Sequence, residues 1–236
     1  MNRLARMVLK NLHVLPGAYS KLCRYAKAPE KYPEKEMWAH IAYIMERAIA
    51  GGNVQLQVTG LENLNHDRGF MLYGNHQGMF DVVAIAATCP APLGCAYKKE
   101  LKDAPLLKQI YACTKSFAMD REDARQSLQV IQAITEEVKK GRNYLIFPEG
   151  TRSRKGNEML AFHGGSFRCA IKAKCPVVPI AFIDSFKVLD EKGSRRVKVQ
   201  IHYLDPIYPE EFEGMKAAQL ADLVKERIEH CIMQNA

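Results

Sequence analysis

The sequence predicts an α/β fold, with one domain built on a central mixed, mainly parallel sheet flanked by helices and preceded by an N-terminal two-helix appendage. Segments with strand-like alternation or short apolar runs alternate along the chain with segments of helical periodicity. The chain has 236 residues, 47% of them hydrophobic and 25% charged, which suffices for one large core. We expect an appendage of residues 1–52 and a main domain of residues 53–236.

The appendage begins with a basic amphipathic segment. The first 28 residues contain six basic and no acidic side chains. On a helical wheel one face holds Leu4, Val8, Leu12 and Leu15, and the opposite face holds Arg3, Arg6, Lys10 and His13. Pro16-Gly17 is expected to end this helix, and Gly51-Gly52 to end a second one. The first helix either packs on the main domain or lies on an anionic lipid surface.

The main domain alternates predicted strands with predicted helices. Strands are expected at residues 54–58, 70–73, 115–119, 144–147, 177–182 and 197–203. Helices are expected at residues 82–88, 123–140 and 217–232. In the second of these helices the expected inner stripe is Leu128, Ile131, Ile134 and Val138. This alternation is typical of a sheet whose functional sites lie at strand ends.

Charge and cysteine content exclude several classes of protein. A net charge of +8 favours an anionic partner, but no nucleic-acid-binding motif is present, so nucleic acid ranks last. The seven cysteines form no C-x-x-C pair and no zinc-like cluster, which argues for a reducing compartment without a structural metal. No signal peptide is expected, because Lys10 and His13 interrupt the apolar run near the N-terminus. No transmembrane helix is expected either, because no segment is long and apolar enough.

A histidine and an aspartate lie five residues apart in the stretch GNHQGMFD, residues 74–81. On one helix these two side chains would point about 140° apart, so they can meet only across a strand-to-helix turn. In that geometry Asp81 would orient the ring of His76 as a general base. The alternative is an aspartate that caps a helix beside a surface histidine.

The stretch YLIFPEGTRSR, residues 144–154, follows a predicted buried strand with one acid and two arginines. The planar guanidinium of Arg152 suits phosphate oxygens, and a carboxylate such as Glu149 can hold it in place. A solvated basic loop accounts well for Arg154 and Lys155, but poorly for residues 149–152. This segment therefore predicts an anion-binding site.

Together, Asn75-His76 with Asp81 and the later Phe147-Pro-Glu-Gly-Thr-Arg-Ser153 resemble the glycerolipid acyltransferase family, of the 1-acyl-sn-glycerol-3-phosphate acyltransferase type. Weaker similarities lie at Met119-Asp120-Arg121 and Val177-Val-Pro-Ile180. The resemblance implies His76 as general base and Asp81 as its orienting group. It also implies a substrate site of Lys98, Arg121, Glu149, Gly150, Thr151 and Arg152, with no metal and no cofactor.

The implied reaction transfers a fatty acyl group from acyl-CoA or acyl carrier protein to a lysophospholipid hydroxyl, giving phosphatidic acid in phospholipid biosynthesis. Backbone N–H groups near the His76 turn are expected to hold the developing oxyanion. Because acceptor and product are lipids, residues 1–28 are expected to attach the protein peripherally to the cytoplasmic face of a membrane.

Other functions fit the same motifs. The acceptor could be glycerol-3-phosphate or an aminolipid instead. A hydrolase could use the same histidine to activate water, although the chain has no G-x-S-x-G motif. A lipid-binding protein without activity is the third alternative.

Overall fold

A seven-stranded sheet organises residues 2–236, the part of the chain that the computed structural model describes. The strands are β1 (Val54–Thr59), β2 (Met71–Gly74), β3 (Leu93–Lys98), β4 (Phe117–Met119), β5 (Asn143–Ile146), β6 (Val177–Ile183) and β7 (Val197–Tyr203). The helices are α1 (Arg3–Lys10), α2 (Leu15–Lys27), α3 (Glu34–Gly52), α4 (Phe80–Thr88), α5 (Leu107–Cys113), α6 (Ala124–Lys139), α7 (Arg168–Ala173), α8 (Phe186–Leu189) and α9 (Ala217–Asn235).

The sheet is mixed and mainly parallel, with the order β1-β7-β6-β2-β5-β3-β4. Strands β6, β2, β5, β3 and β4 are parallel neighbours, while β7 is antiparallel to β6 and parallel to β1. The carboxyl ends of the five parallel strands therefore share one edge, which we call the carboxyl edge. The predicted fold class is confirmed.

Helices cover both faces of this sheet, because its central strands are apolar on both sides. Every residue of β2 and β6 is buried. One face packs against α1 to α5 and α8, and the other against α6, α7 and α9. The buried side chains of residues 2–52, such as Leu22, Tyr25 and Ile41, belong to the first of these cores. The boundary near residue 53 remains a prediction.

The N-terminal region contains three helices rather than the predicted two. The first ends at Lys10, and Pro16 lies in the first turn of α2 instead of ending a helix. Proline is tolerated there because the first turn of a helix needs no backbone N–H donor. The predicted end of the following helix at Gly51-Gly52 is confirmed, since α3 ends at Gly52 with Asn53 in the left-handed conformation.

The main domain differs from the prediction in three details, the first being that the short helices α5, α7 and α8 were not predicted. Of the expected stripe of α6, Ile131, Ile134 and Val138 are buried as predicted, whereas Leu128 is exposed and Val130 is buried in addition. Strand β3 was not predicted, because Gly94, Cys95 and Ala96 carry little strand preference of their own. Its pairing with β5 and β4 holds it in the sheet.

A search of residues 2–236 finds no helix whose length and apolar character would let it cross a bilayer.

Candidate active site

His76 and Asp81 meet across the turn between β2 and α4. The ring Nδ1 of His76 lies 2.7 Å from Oδ2 of Asp81. His76 follows the end of β2 by two residues, and Asp81 lies in the first turn of α4. The two side chains therefore have the geometry that the spacing predicted, and Asp81 is not the capping residue of the helix, which is Met79.

Asp81 is fully buried and accepts hydrogen bonds on both oxygens. Besides the His76 ring, Oδ2 accepts from the backbone N–H groups of Gln77 at 2.8 Å and Gly78 at 3.0 Å. The buried hydroxyl of Ser185 donates to Oδ1. Burial of a carboxylate is costly unless hydrogen-bond donors replace the water it loses. Four donors therefore fix this carboxylate in one orientation against the imidazole.

The ring of His76 is held on its face as well as on its edge. Phe147 stacks on it with a centroid distance of 4.1 Å and an interplanar angle of 15°. Because an ionised carboxylate can only accept, Nδ1 carries the proton and Nε2 presents its lone pair. The side chain keeps 16% of its surface exposed. His76 can therefore take a proton from a group that approaches the carboxyl edge.

Glu149, three residues after the end of β5, supports the same turn. Its Oε1 accepts the backbone N–H of His76 at 2.7 Å, and its Oε2 accepts that of Leu160 at 3.0 Å. The side chain is buried, and this burial raises the pKa of its carboxyl against the opposing effect of the two N–H donors. Both oxygens are thus engaged by backbone, so Glu149 positions His76 instead of facing a ligand directly.

We expect Glu149→Gln to destabilise the protein and to lower activity. The amide nitrogen would face one of the two backbone N–H groups, and the loss of one buried acceptor costs about 1–3 kcal/mol. Urea unfolding measures the change. Glu158→Gln is the matched control, because Glu158 is exposed on the same loop; equal stability of the two variants would contradict the supporting role.

Arg152 lies beside the His76 turn and is paired. Its guanidinium Nη1 is 2.8 Å from Oδ1 of Asp190, whose Oδ2 accepts the backbone N–H of Met79 at 3.0 Å. The next residue, Ser153, donates its backbone N–H to the carbonyl of His76 at 2.8 Å. The guanidinium remains partly exposed. A ligand phosphate that binds Arg152 would therefore lie near the His76 turn and would compete with Asp190 for the guanidinium.

Gly150 and Thr151 form the bend between Glu149 and Arg152. Gly150 has φ +68°, a left-handed conformation that strains residues with a side chain. A Cβ at this position would lie 3.4 Å from the ring of His163. Thr151 is exposed at the bend. The glycine therefore allows the chain to turn so sharply that both ends of the motif reach the His76 turn.

Lys98 and Arg121 lie on the carboxyl edge but away from the dyad. Lys98 is the last residue of β3 and Arg121 follows β4, and these strands are two and three strands from β2. At a strand spacing of ~4.8 Å this is about 10–14 Å. Lys98 is exposed and pairs with Glu100 at 3.3 Å. Burial lowers the pKa of Arg121, and the charge of Glu100 opposes this. The predicted substrate residues thus form two groups along one edge.

The backbone N–H groups of residues 76–79 all have acceptors within the protein. The backbone N–H of His76 donates to Glu149, those of Gln77 and Gly78 donate to Asp81, and that of Met79 donates to Asp190. These bonds build the turn itself, so the four N–H groups of residues 76–79 already have acceptors within the protein. The expectation that backbone N–H groups near this turn hold the oxyanion stays a prediction.

Sequence reasoning missed three supporting residues near the dyad, which are Gln77, Ser185 and Asp190. Ser185 donates its hydroxyl to Asp81, and its backbone N–H donates to the side chain of Gln77 at 2.9 Å. Asp190 joins Arg152 to Met79. Ser185 follows the end of β6 as His76 follows β2, and polar residues directly after buried parallel strands were the signal that could have revealed it.

Metal ligation has no candidate among residues 2–236, since no three His, Cys, Asp or Glu side chains there are grouped to hold an ion.

Comparison with known proteins gives one family match. A family model described as Acyltransferase matches residues 55–183, which include the dyad, the Glu149–Arg152 loop and β6. The 1-acyl-sn-glycerol-3-phosphate acyltransferase of Saccharomyces cerevisiae is 28% identical over 179 residues, covering 74% of this chain and 59% of the relative. That of Salmonella typhimurium is 30% identical over 158 residues, covering 66% and 61%. The chain thus spans about three fifths of the length of these two relatives.

A solved structure extends the likeness to the whole fold. The crystal structure of the 1-acyl-sn-glycerophosphate (LPA) acyltransferase PlsC from Thermotoga maritima superposes with a TM-score of 0.76, covering 99% of this chain and 98% of that chain. The sequences are 22% identical, so this comparison bears on the fold alone.

Proposed function

Since this chain belongs to the Acyltransferase family, we propose that it transfers a fatty acyl group from a thioester to the free hydroxyl of 1-acyl-glycerol-3-phosphate, giving phosphatidic acid. The observation that carries the proposal is the His76–Asp81 contact of 2.7 Å at the carboxyl edge, with Arg152 tied to the same turn. The names of the relatives support the choice of acceptor. The family resemblance found in the sequence is confirmed.

The chemistry follows from the geometry of the dyad. His76 Nε2 removes the proton from the acceptor hydroxyl as its oxygen attacks the thioester carbonyl carbon. Asp81 stabilises the imidazolium that forms. The carbon–sulfur bond then breaks, and the imidazolium returns the proton to the departing thiolate, so the products are an ester and a free thiol. The donor is acyl-CoA or acyl carrier protein.

The acceptor's phosphate is assigned to the basic residues of the carboxyl edge. Arg152 is the group nearest to the dyad turn, and it can exchange its bond to Asp190 for a bidentate bond to phosphate. Lys98 and Arg121 lie further along the edge. In this proposal they contact the phosphate oxygens that point away from Arg152.

We expect Arg152→Ala to raise the KM for the acceptor about tenfold or more while kcat changes less, because a phosphate contact acts in the ground state as well as in the transition state. Steady-state kinetics with varied acceptor and saturating donor measure this. Lys155→Ala is the control, an exposed cation on the same loop. An effect confined to kcat, or an equal effect of the control, would contradict the assignment.

Peripheral attachment to a membrane through residues 1–28 is part of the proposal. Helix α1 and the turn after it direct Arg3, Met7 and Asn11 inward and leave Leu4, Val8 and Leu12 exposed. Its apolar stripe therefore faces away from the core, the orientation of a helix that lies in a lipid interface. Residues 1–28 contain six basic and no acidic residues, which suits the anionic headgroups on the cytoplasmic side of a membrane.

A thioester assay separates the proposal from its alternatives. Release of free thiol is measured with and without lysophosphatidic acid, and the lipid product is identified. Transfer requires the acceptor, a hydrolase releases thiol without it, and a lipid-binding protein releases none. Glycerol-3-phosphate and a lyso-aminolipid as acceptors test the other substrates. Thiol release that does not depend on any acceptor would overturn the proposal.

A further inference from the structure

A ring of hydrogen-bonded side chains lies beside the dyad. Gln77, in the His76 turn, is buried, and its Nε2 donates to Oδ1 of Asn157 at 2.7 Å. The same Oδ1 accepts the backbone N–H of Asp184 at 2.9 Å, and Nδ2 of Asn157 donates to Oδ1 of Asp184 at 3.2 Å. The backbone N–H of Ser185 donates to Oε1 of Gln77 at 2.9 Å, which closes the ring. Asn157 therefore joins three segments that are far apart in the sequence.

Asn157 belongs to the loop that carries Arg152. Between these two residues the chain bends at Arg154 and Gly156, which have φ values of +54° and +66° in the left-handed region. Glycine adopts this conformation freely, whereas a residue with a side chain does so at a cost. The bends bring Asn157 back to the His76 turn, where it meets Gln77. One loop thus carries both the proposed phosphate contact and a polar link to the turn of the base.

The third segment of the ring is the strained turn after β6. Asp184 has φ +64°, which is uncommon for a residue other than glycine. Such a backbone persists where several contacts hold it, and active sites are a frequent place for it. Here Asn157 binds both the N–H and the carboxylate of Asp184, and Lys187 pairs with the other carboxylate oxygen at 2.8 Å. The bend directly precedes Ser185, whose hydroxyl donates to Asp81.

We infer that Asn157 is a positioning residue that fixes the distance between the phosphate contact of Arg152 and the base, His76. Its hydrogen bonds go to Gln77 and Asp184 and so act on the base through the turns on either side of it. The inference rests on the proposed function and deepens it. A phosphate bound to Arg152 places the acceptor hydroxyl at Nε2 of His76 as long as the loop and the turn are held together.

The preference for a phosphate-bearing acceptor tests this role. The kcat/KM values for lysophosphatidic acid and for 1-acylglycerol, which lacks the phosphate, are measured with the same acyl chain, and their ratio gives the preference. We expect Asn157→Ala to lower the ratio about tenfold, because a phosphate on a displaced Arg152 no longer aligns the hydroxyl with His76. A purely structural role would lower both values equally, and an unchanged ratio would overturn the inference. Glu158→Ala is the matched control, since Glu158 is an exposed neighbour in the same loop.

A double-mutant cycle asks whether Asn157 acts through Arg152. In the Arg152→Ala background the phosphate contact is already absent, so Asn157→Ala should change the ratio little. An equal loss in both backgrounds would overturn the coupling.

An exchange of the two polar partners provides the rescue. Asn157→Asp alone places two carboxylates in contact and should lower the ratio. Combined with Asp184→Asn it should restore the ratio, since a carboxylate at position 157 accepts from Gln77 and from the backbone N–H of residue 184, and an amide at position 184 donates to it. A ratio as low in this pair as in Asn157→Ala would overturn the role of these hydrogen bonds.

Amide hydrogen exchange separates this inference from the proposed function. Residues 76–79 and 150–160 should exchange faster in Asn157→Ala than in the wild-type protein, whatever acceptor the enzyme uses. Equal exchange in the two proteins would overturn the link between loop and turn, even where the wild type transfers acyl groups. Faster exchange in the variant, together with no transfer by the wild type to either acceptor, would overturn the proposed function and leave the link standing.

Discussion

His76→Ala is expected to lower acyl transfer by about 10²–10⁴-fold, the range that a positioned general base contributes. The imidazole is held by the Asp81 carboxylate on one edge and by Phe147 on one face, so its Nε2 is fixed in place without any substrate. Alanine removes the group that accepts the hydroxyl proton in the proposed mechanism. Initial rates of thiol release with saturating lysophosphatidic acid measure the loss.

The interpretation of that loss depends on an intact fold. The substitution keeps the backbone N–H bond to Glu149 but removes one of the four donors to the buried Asp81, so circular dichroism and thermal unfolding establish whether the variant is folded. His230→Ala is the control, since His230 is exposed on α9 and bonded only to Gln234 along the same helix. Residual transfer within tenfold of wild type in a folded His76→Ala protein would remove the histidine from the mechanism.

Much of the sheet could be predicted because its strands carry their own signal. The alternation of β1 and the continuous apolar runs of β2, β5 and β6 reflect whether a strand is buried on one face or two. The N-terminal helices could not be predicted as well. Whether Pro16 ends a helix or begins one depends on where the preceding turn of residues 11–14 falls, and tertiary contacts such as that of Asn11 with the carbonyl of Arg47 decide this.

The candidate site was predictable where the contacts are local. The spacing of His76 and Asp81 contains its own geometric test, because only a strand-to-helix turn brings them together. The partners that complete the site lie far away in sequence. Ser185 is 104 residues from Asp81, and Asp190 is 38 from Arg152. Such pairs follow from the order of the strands, which places β6 beside β2, and no periodicity in one segment contains that order.

Asp81→Asn should lower kcat by about 10²–10⁴-fold with little change in the acceptor KM. The amide matches the carboxylate in shape, and its nitrogen can face Ser185, whose hydroxyl can rotate to accept. The oxygen can then keep the bonds from the His76 ring, Gln77 and Gly78. What disappears is the negative charge that stabilises the imidazolium, and this charge matters only once the proton has moved. Steady-state kinetics, with circular dichroism to confirm folding, measure the effect.

Ser185→Ala shows whether the buried hydroxyl acts through that carboxylate. Removing its bond to Asp81 should lower kcat about tenfold, since a hydrogen bond to a charged group contributes roughly 1.5–3 kcal/mol and tenfold in rate is about 1.4 kcal/mol. In the Asp81→Asn background the same substitution should cost much less, because the charge that the hydroxyl holds in place is already gone. Equal losses in both backgrounds would mean that Ser185 supports the fold of the turn and not the orientation of the base.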